Sequence, residues 1–208
     1  KPTTVMPEQD TYIRNEFETL QAYVASPSNS TITQGYPSVI DIPSFVDFMI
    51  LNELSSNADG YEFSTFFHKD RNGKLRAGPI WDFNLTFGND LFQWGYDRSH
   101  TDIWQFDDQG NMGPKFWKDL FDDPVFNCYL TKRWQELTAP GMPLNSTEIF
   151  SLIDATQTLI SEAAARQEIV SGTTGDFNEN IIEMKEFISE RIQWISTQLT
   201  DTSLCDTI

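Results

Sequence analysis

Two aspartates, Asp59 and Asp82, carry the most suggestive chemistry in this chain of 208 residues. Asp82 stands between Trp81 and Phe83 in GPIWDFNLTFGND (78–90), after a Gly-Pro pair and ahead of Asn84, Asn89 and Asp90. A carboxylate between two large aromatics is either a strand-end cap whose neighbours fill the core, or a rigidly held ligand for a hard cation. Asp59 lies in SSNADG (55–60), and a second acid widens what such a site can do. One carboxylate can orient a nucleophile while the other holds a metal on phosphate oxygens, so that transfer is catalysed mainly by placing charge.

That chemistry needs the two acids to be neighbours. EFSTFFHK (62–69) and KLRAGPIW (74–81) are aromatic-rich or β-branched runs joined by DRNG, and Asn72-Gly73 is a preferred pair for a two-residue type I′ turn. With that turn, paired residue numbers sum to about 145, so Phe63 faces Asp82 and Ser64 faces Trp81. Asp59 then precedes the first strand and Asp82 follows the second, with their carboxylates at the open end of the hairpin within roughly 10 Å. A bulge would shift this register.

Helical patterns surround the hairpin. In IDIPSFVDFMILNEL (40–54), Asp41 can cap, Pro43 suits a first turn, and Phe45, Phe48, Met49 and Leu51 predict a mostly buried helix. Residues 1–40 are polar and irregular, except for a helical stretch from about Gln9 to Val24. A Trp- and Asp-rich loop runs from residue 90 to about Met112, and helices are expected over 114–122, 123–139, 145–170 and 176–199. The expected fold is mainly α with a central β-hairpin. It divides into an irregular N-terminal segment (1–39), a main domain (40–200) and a tail (201–208).

Acids outnumber bases 31 to 14, for a net charge of −17, which argues against nucleic acid or an anionic membrane as partner. A single phosphate ligand stays open, because a bound divalent cation reverses the local field. No apolar run nears the roughly 18 residues of a membrane span, and no signal peptide is visible. Starting at Lys1 without Met, the chain reads as a processed protein or an excised piece. Cys128 and Cys205 are too few and too far apart for a zinc site, which leaves a disulfide to the tail or two buried thiols.

Protein kinases place a catalytic-loop Asp before a hairpin and a metal-binding Asp-Phe-Gly after it. Asp82-Phe83-Asn84 resembles that second element, with Asn in place of Gly as the next residue most tolerant of positive φ. More specifically, IDIPSFVDFMILNELSSNADGY, STFFHKD and GPIWDFNLTFGN resemble the CotH family of spore-coat and secreted kinase-like proteins. NCYLTKRWQEL and the closing helix with ERIQWI look like that family's C-terminal helices. The resemblance implies the C-terminal lobe of an atypical protein-kinase-like fold, exported to a bacterial surface, periplasm or exterior. It also implies phosphate transfer from ATP, with Mg2+, to Ser or Thr of a surface or coat protein.

Carried across, Asp59 is the expected catalytic acid and Asp82 the metal ligand. Asn84 stands where the family often has a second Asp, and Ser64 stands where conventional kinases have a metal-binding Asn; both are expected at the cofactor. The segment before residue 40 holds neither a glycine-rich cover nor a Lys–Glu pair, so the expected partner is a missing N-terminal lobe, without which this chain is inactive. Export also implies a Cys128–Cys205 disulfide.

Two rival functions remain, a non-enzymatic coat scaffold and a carbohydrate-binding module using Trp94, Tyr96, Trp104 and Phe106, which otherwise pack a core or loop. His68 and His100 are too isolated for a metal pair, and DRNGK lacks the oxygen ladder of a calcium loop. Lys69, Arg71, Lys74 and Arg76 form either a solvated hairpin tip or a contact for another lobe or an acidic substrate.

Overall fold

The computed structural model describes residues 4–26, 29–89, 100–107, 112–171 and 177–205. Six α-helices are present among them: α1 (Pro7–Val24), α2 (Ile42–Ser55), α3 (Phe116–Asp122), α4 (Pro124–Thr138), α5 (Ser146–Ser171) and α6 (Phe177–Gln198). One antiparallel hairpin, β1 (Phe67–His68) and β2 (Arg76–Ala77), interrupts them. The mainly helical fold with a central hairpin is therefore as the sequence reads.

Helix α2 is the axis of the domain. Its Asp41 carboxylate accepts from the Ser44 N–H at 3.0 Å, capping a helix that carries Pro43 in its first turn. Phe45, Phe48 and Met49 are buried, and the two phenyl rings each lie 5.2 Å from the indole of Trp117 on α3. Tyr61 and Phe67 close on the same indole, at 5.3 and 6.1 Å. Burying each such ring is worth roughly 1.5–3 kcal/mol, so this aromatic cluster is the principal fastening of α2 to α3 and the hairpin.

The other helices complete the shell. On α1, Leu20 is fully buried and Gln21 donates to the Asp119 carboxylate of α3 at 2.8 Å. The Tyr36 hydroxyl donates to Asp123, the residue that caps α4 through the Phe126 N–H. Trp134 of α4 donates to Ser196 of α6 at 3.0 Å. Helices α5 and α6 run antiparallel, joined by the Lys185–Asp154 ion pair and by Gln157 donating to Asn178. Cys128 of α4 and Cys205 of the tail form a disulfide with Cα atoms 5.6 Å apart.

The hairpin differs from expectation by one residue. Phe67 pairs with Ala77 and His68 with Arg76, so paired numbers sum to one less than a two-residue Asn72-Gly73 turn requires. The turn spans Asp70–Gly73, closed by the Gly73 N–H donating to the Asp70 carbonyl, and its positive φ (62°) falls on Asn72 alone. A third segment fixes this register. Leu75, 6% exposed, exchanges backbone hydrogen bonds of 2.8 Å with Val39 and Asp41, which holds its side chain inward.

Candidate functional site

Asp59 occupies the turn that follows α2. The helix stops where Ser56 takes a left-handed backbone (φ 47°), and the chain then reverses through 57–60. The Asp59 carbonyl accepts from the N–H groups of Glu62, Phe63 and Ser64, at 3.3, 3.2 and 3.0 Å. Asp59 is thus held on a tight loop and is half-buried, while Ser64 is 4% exposed behind it.

Asp82 lies on an open strip. Its φ is 63°, and Trp81, 60% exposed, meets Phe66 edge-to-face at 6.3 Å. Asp82 and Asn84 are both exposed, and the Asn84 carbonyl accepts from the Asn89 side chain. The strip then returns to the end of α2. The Ala58 N–H donates to the Leu85 carbonyl at 3.2 Å, and the Phe87 N–H donates to the Ser55 carbonyl at 2.6 Å. Asp59 therefore adjoins a residue bonded to Leu85, and Asp82 can lie no more than about 11 Å from Leu85 along the chain.

These two bonds, rather than the ladder expected from the sequence, bring the acid-bearing segments side by side. The hairpin's paired region is only two residues on each strand, and its last bond, Gly78 N–H to the Phe66 carbonyl, ends well short of Asp59. The Asp59–Asp82 arrangement is thus a three-segment one.

Behind the loop lies a buried ion pair that sequence reasoning missed. Arg191 of α6 donates from Nη2 to Glu53 Oε2 at 2.9 Å and from Nε to the Glu53 carbonyl at 2.7 Å. Their side chains are 0% and 3% exposed. Tyr61 Oη donates to Glu53 Oε1 at 2.8 Å, and the N–H groups of Gln105 and Phe106 donate to the two oxygens. Arg191 Nη1 donates to the carbonyls of Thr101 and Ile103, and its guanidinium lies 4.9 Å from the Trp194 ring centre. Burial pushes Glu53 up from its ordinary value, with Arg191 and the three donors opposing it. Burial likewise lowers Arg191, against the pull of Glu53. A signal was present: Glu53 follows Phe45 and Met49 at four-residue spacing on the buried face of α2, where a carboxylate needs a partner.

The model of the CotH kinase protein family matches residues 1–195. The chain belongs to the CotH kinase protein family. No curated protein and no solved structure gives a significant match.

Other sequence-level candidates on this CotH-family chain find more ordinary places. Lys69 pairs with Glu16 of α1 at 2.6 Å and Arg76 with Asp41 at 2.8 Å, so half of the basic cluster braces the hairpin instead of forming a solvated tip. Arg71 and Lys74 are exposed at the turn. Trp104 packs against Phe106, Phe121 and Trp194 at 4.8–5.7 Å, the core-packing alternative for both Trp104 and Phe106. Trp94, Tyr96 and Asp90 lie outside the described residues. His68 is an exposed hairpin side chain with Nδ1 3.3 Å from the Gly78 carbonyl.

Among the described residues, no three His, Cys, Asp or Glu side chains gather as a metal nest. The acids near the turn among the described residues are Asp59, the exposed Asp82 and Glu62, whose carboxylate accepts from the Met112 N–H, with Asn84 as a neutral oxygen donor. This set suits magnesium only in its usual mode, in which one or two carboxylates hold an ion that keeps waters and substrate phosphates as its other ligands.

Proposed function

We propose that this chain is the C-terminal lobe of an exported CotH-family protein kinase that phosphorylates Ser or Thr of a surface or coat protein. The supporting observation is the pair of backbone bonds, Ala58 to Leu85 and Phe87 to Ser55, that lays the Asp59 loop against the Asp82 strip. Asp59, on its tight loop, orients the attacking hydroxyl and takes up its proton. Asp82 would hold Mg2+, with the exposed Asn84 as a neighbouring oxygen donor; Ser64, 4% exposed behind the Asp59 turn, would have to be uncovered to join them. When bound, ATP–Mg2+ supplies the phosphoryl group and neutralises its charge.

Two features support the wider setting. The Cys128–Cys205 disulfide suits an oxidising compartment, hence export. Phe63, Phe66, Ile80 and Trp81 are 44–65% exposed around the site, a face suited to cover by an upstream lobe carrying the phosphate-binding lysine. The carbohydrate reading finds no support in Trp104 and Phe106, which are packed against other rings.

The test is transfer from ATP–Mg2+ by the full-length protein. Asp59→Ala and Asp82→Ala should each lower it by at least ~100-fold, the scale of one lost electrostatic or acid–base contribution. The 208-residue chain alone should show no transfer and bind ATP–Mg2+ in the millimolar range at best, with neither a fixed cation for the phosphates nor a cover over them among the described residues. Robust turnover by this chain alone would overturn the missing-lobe argument. A full-length protein that neither binds ATP nor transfers phosphate would overturn the kinase reading and favour a non-enzymatic scaffold.

A further inference from the structure

Two buried carboxamides stand directly beneath Asp59. Asn52, near the end of α2, is 1% exposed, and Asn57, in the turn, is fully buried. Asn52 Nδ2 donates to the Phe48 carbonyl one turn back at 2.8 Å, which fixes the direction of its Oδ1. Asn57 Nδ2 donates to that Oδ1 at 3.0 Å. Asn57 Oδ1 in turn accepts from the Asp59 backbone N–H at 3.3 Å. A continuous line of hydrogen bonds thus runs from the rigid helix to the Asp59 backbone.

The main chain tightens the same clamp. The Asn57 N–H donates to the Asn52 carbonyl and the Gly60 N–H to the Asn57 carbonyl, both at 3.0 Å. A Cβ on Gly60 would lie 2.3 Å from Asn52 Oδ1 and 2.9 Å from its Cγ. Glycine is needed there for space, since the loop backbone lies directly on the Asn52 carboxamide. Burying two carboxamides is costly unless their hydrogen bonds are made, and apolar residues would fill the same volume without directing the loop.

We infer that Asn52 and Asn57 are positioning residues, a carboxamide relay that sets Asp59 against the Asp82 strip. The inference rests on the phosphotransfer reading above. Ala58, between Asn57 and Asp59, also makes the bond to Leu85, so one displacement of the turn would move both acid-bearing segments apart. A misplacement of about 1 Å at a reacting group can cost on the order of 100-fold in rate.

The experiment uses the full-length protein with ATP–Mg2+ and reads three quantities for each variant: kcat, KM for ATP–Mg2+, and amide hydrogen exchange. Asn57→Ala removes both side-chain bonds and should lower kcat at least tenfold while KM changes less than twofold. Asn57→Ser keeps an oxygen for the Asp59 N–H and should recover at least threefold of that loss. Amides of residues 58–64 should exchange at least tenfold faster in Asn57→Ala, with those of α4 unchanged. Gly60→Ala should lower Tm, and Asn52→Ala/Gly60→Ala should melt no lower than Asn52→Ala alone. As a control, Leu54→Ala, in the core, should lower Tm with kcat intact. Unchanged exchange at 58–64, or a loosened loop with unchanged kcat, would overturn the relay. Activity indifferent to Asp59→Ala would instead overturn the phosphotransfer reading, with the exchange result still reporting whether the relay holds the loop.

Discussion

Two polar regions meet at the turn after α2, and they are built on opposite principles. On the inner side, Glu53 and Arg191 are buried, and their charged atoms are met by protein partners: each other, a tyrosine hydroxyl, two backbone N–H groups and three carbonyls. On the outer side, Asp82 and Asn84 face solvent on a strip whose backbone turns left-handed at Asp82 and Phe87. The inner region uses charge to hold segments together, leaving little capacity for a ligand. The outer region leaves that capacity open. Substitutions should therefore separate the two, with stability lost on the inner side and activity on the outer.

The sharpest way to break this contrast is Arg191→Met. It leaves Glu53 buried without its cation and frees the Thr101 and Ile103 carbonyls, at an expected loss of about 3–5 kcal/mol in urea unfolding. Replacing both charges, as in Glu53→Leu/Arg191→Met, should recover part of that loss, because the desolvation of the carboxylate disappears as well. A loss below about 1 kcal/mol in the single variant would mean that solvent reaches the pair.

Next in size is the tail. The disulfide closes a span of 77 residues and pins the chain beyond α6 to α4. Cys128→Ser/Cys205→Ser should lower stability by about 2–5 kcal/mol, through a freer unfolded chain in the entropy account. Transfer activity should be retained below the lowered Tm, since neither cysteine touches the Asp59 turn. Loss of activity without loss of stability would tie the tail to the outer region.

The outer region was far more legible in the sequence than the inner one. Asp59, the turn and WDFN lie in one stretch of local signals, in which a helix end, a Gly-Pro pair and an Asn-Gly turn each announce themselves. Even there the Asn-Gly turn rule predicts a register one residue from the observed one, because Leu75 pairs with Val39 and Asp41, a contact that no turn rule contains. Glu53 and Arg191 are separated by 138 positions, and their pairing depends on how α6 crosses α2. A buried acid on an apolar helix face signals that a partner exists without saying which residue it is. The Asn52–Asn57 relay was hidden differently, since SSNADG reads as a polar loop until the burial of Asn57 is known.

A pH titration probes the inner side through Tyr61, together with the buried Tyr36–Asp123 bond at the start of α4. Burial, with the Asp123 carboxylate beside Tyr36 and the Glu53 carboxylate beside Tyr61, raises both hydroxyls above their ordinary value near 10. Above pH 10 the unfolded chain releases these protons while the folded one keeps them, so stability is intact below that pH and falls above it. Two such groups give a slope of up to about 2.7 kcal/mol per pH unit. Tyr36→Phe should reduce the slope by about half. An unchanged slope would show that Tyr36 ionises freely in the folded protein.

The smallest stability change is expected at Asp82, and it decides between the two readings that its setting allows. Asn tolerates the left-handed backbone about as well as Asp does, so Asp82→Asn adds little strain at φ 63°. The side chain is exposed, and the substitution keeps its size, so unfolding free energy should stay within about 0.5 kcal/mol. If Asp82 is a structural cap, losing its charge should instead cost about 1 kcal/mol, since a cap works through its carboxylate oxygens. If it is a cation ligand, the full-length protein should lose transfer activity, and the Mg2+ concentration needed for half-maximal rate should rise several-fold. Unchanged stability together with that magnesium dependence would place the function of Asp82 outside the fold. A destabilised protein with an unaltered magnesium requirement would return Asp82 to the strand-end role.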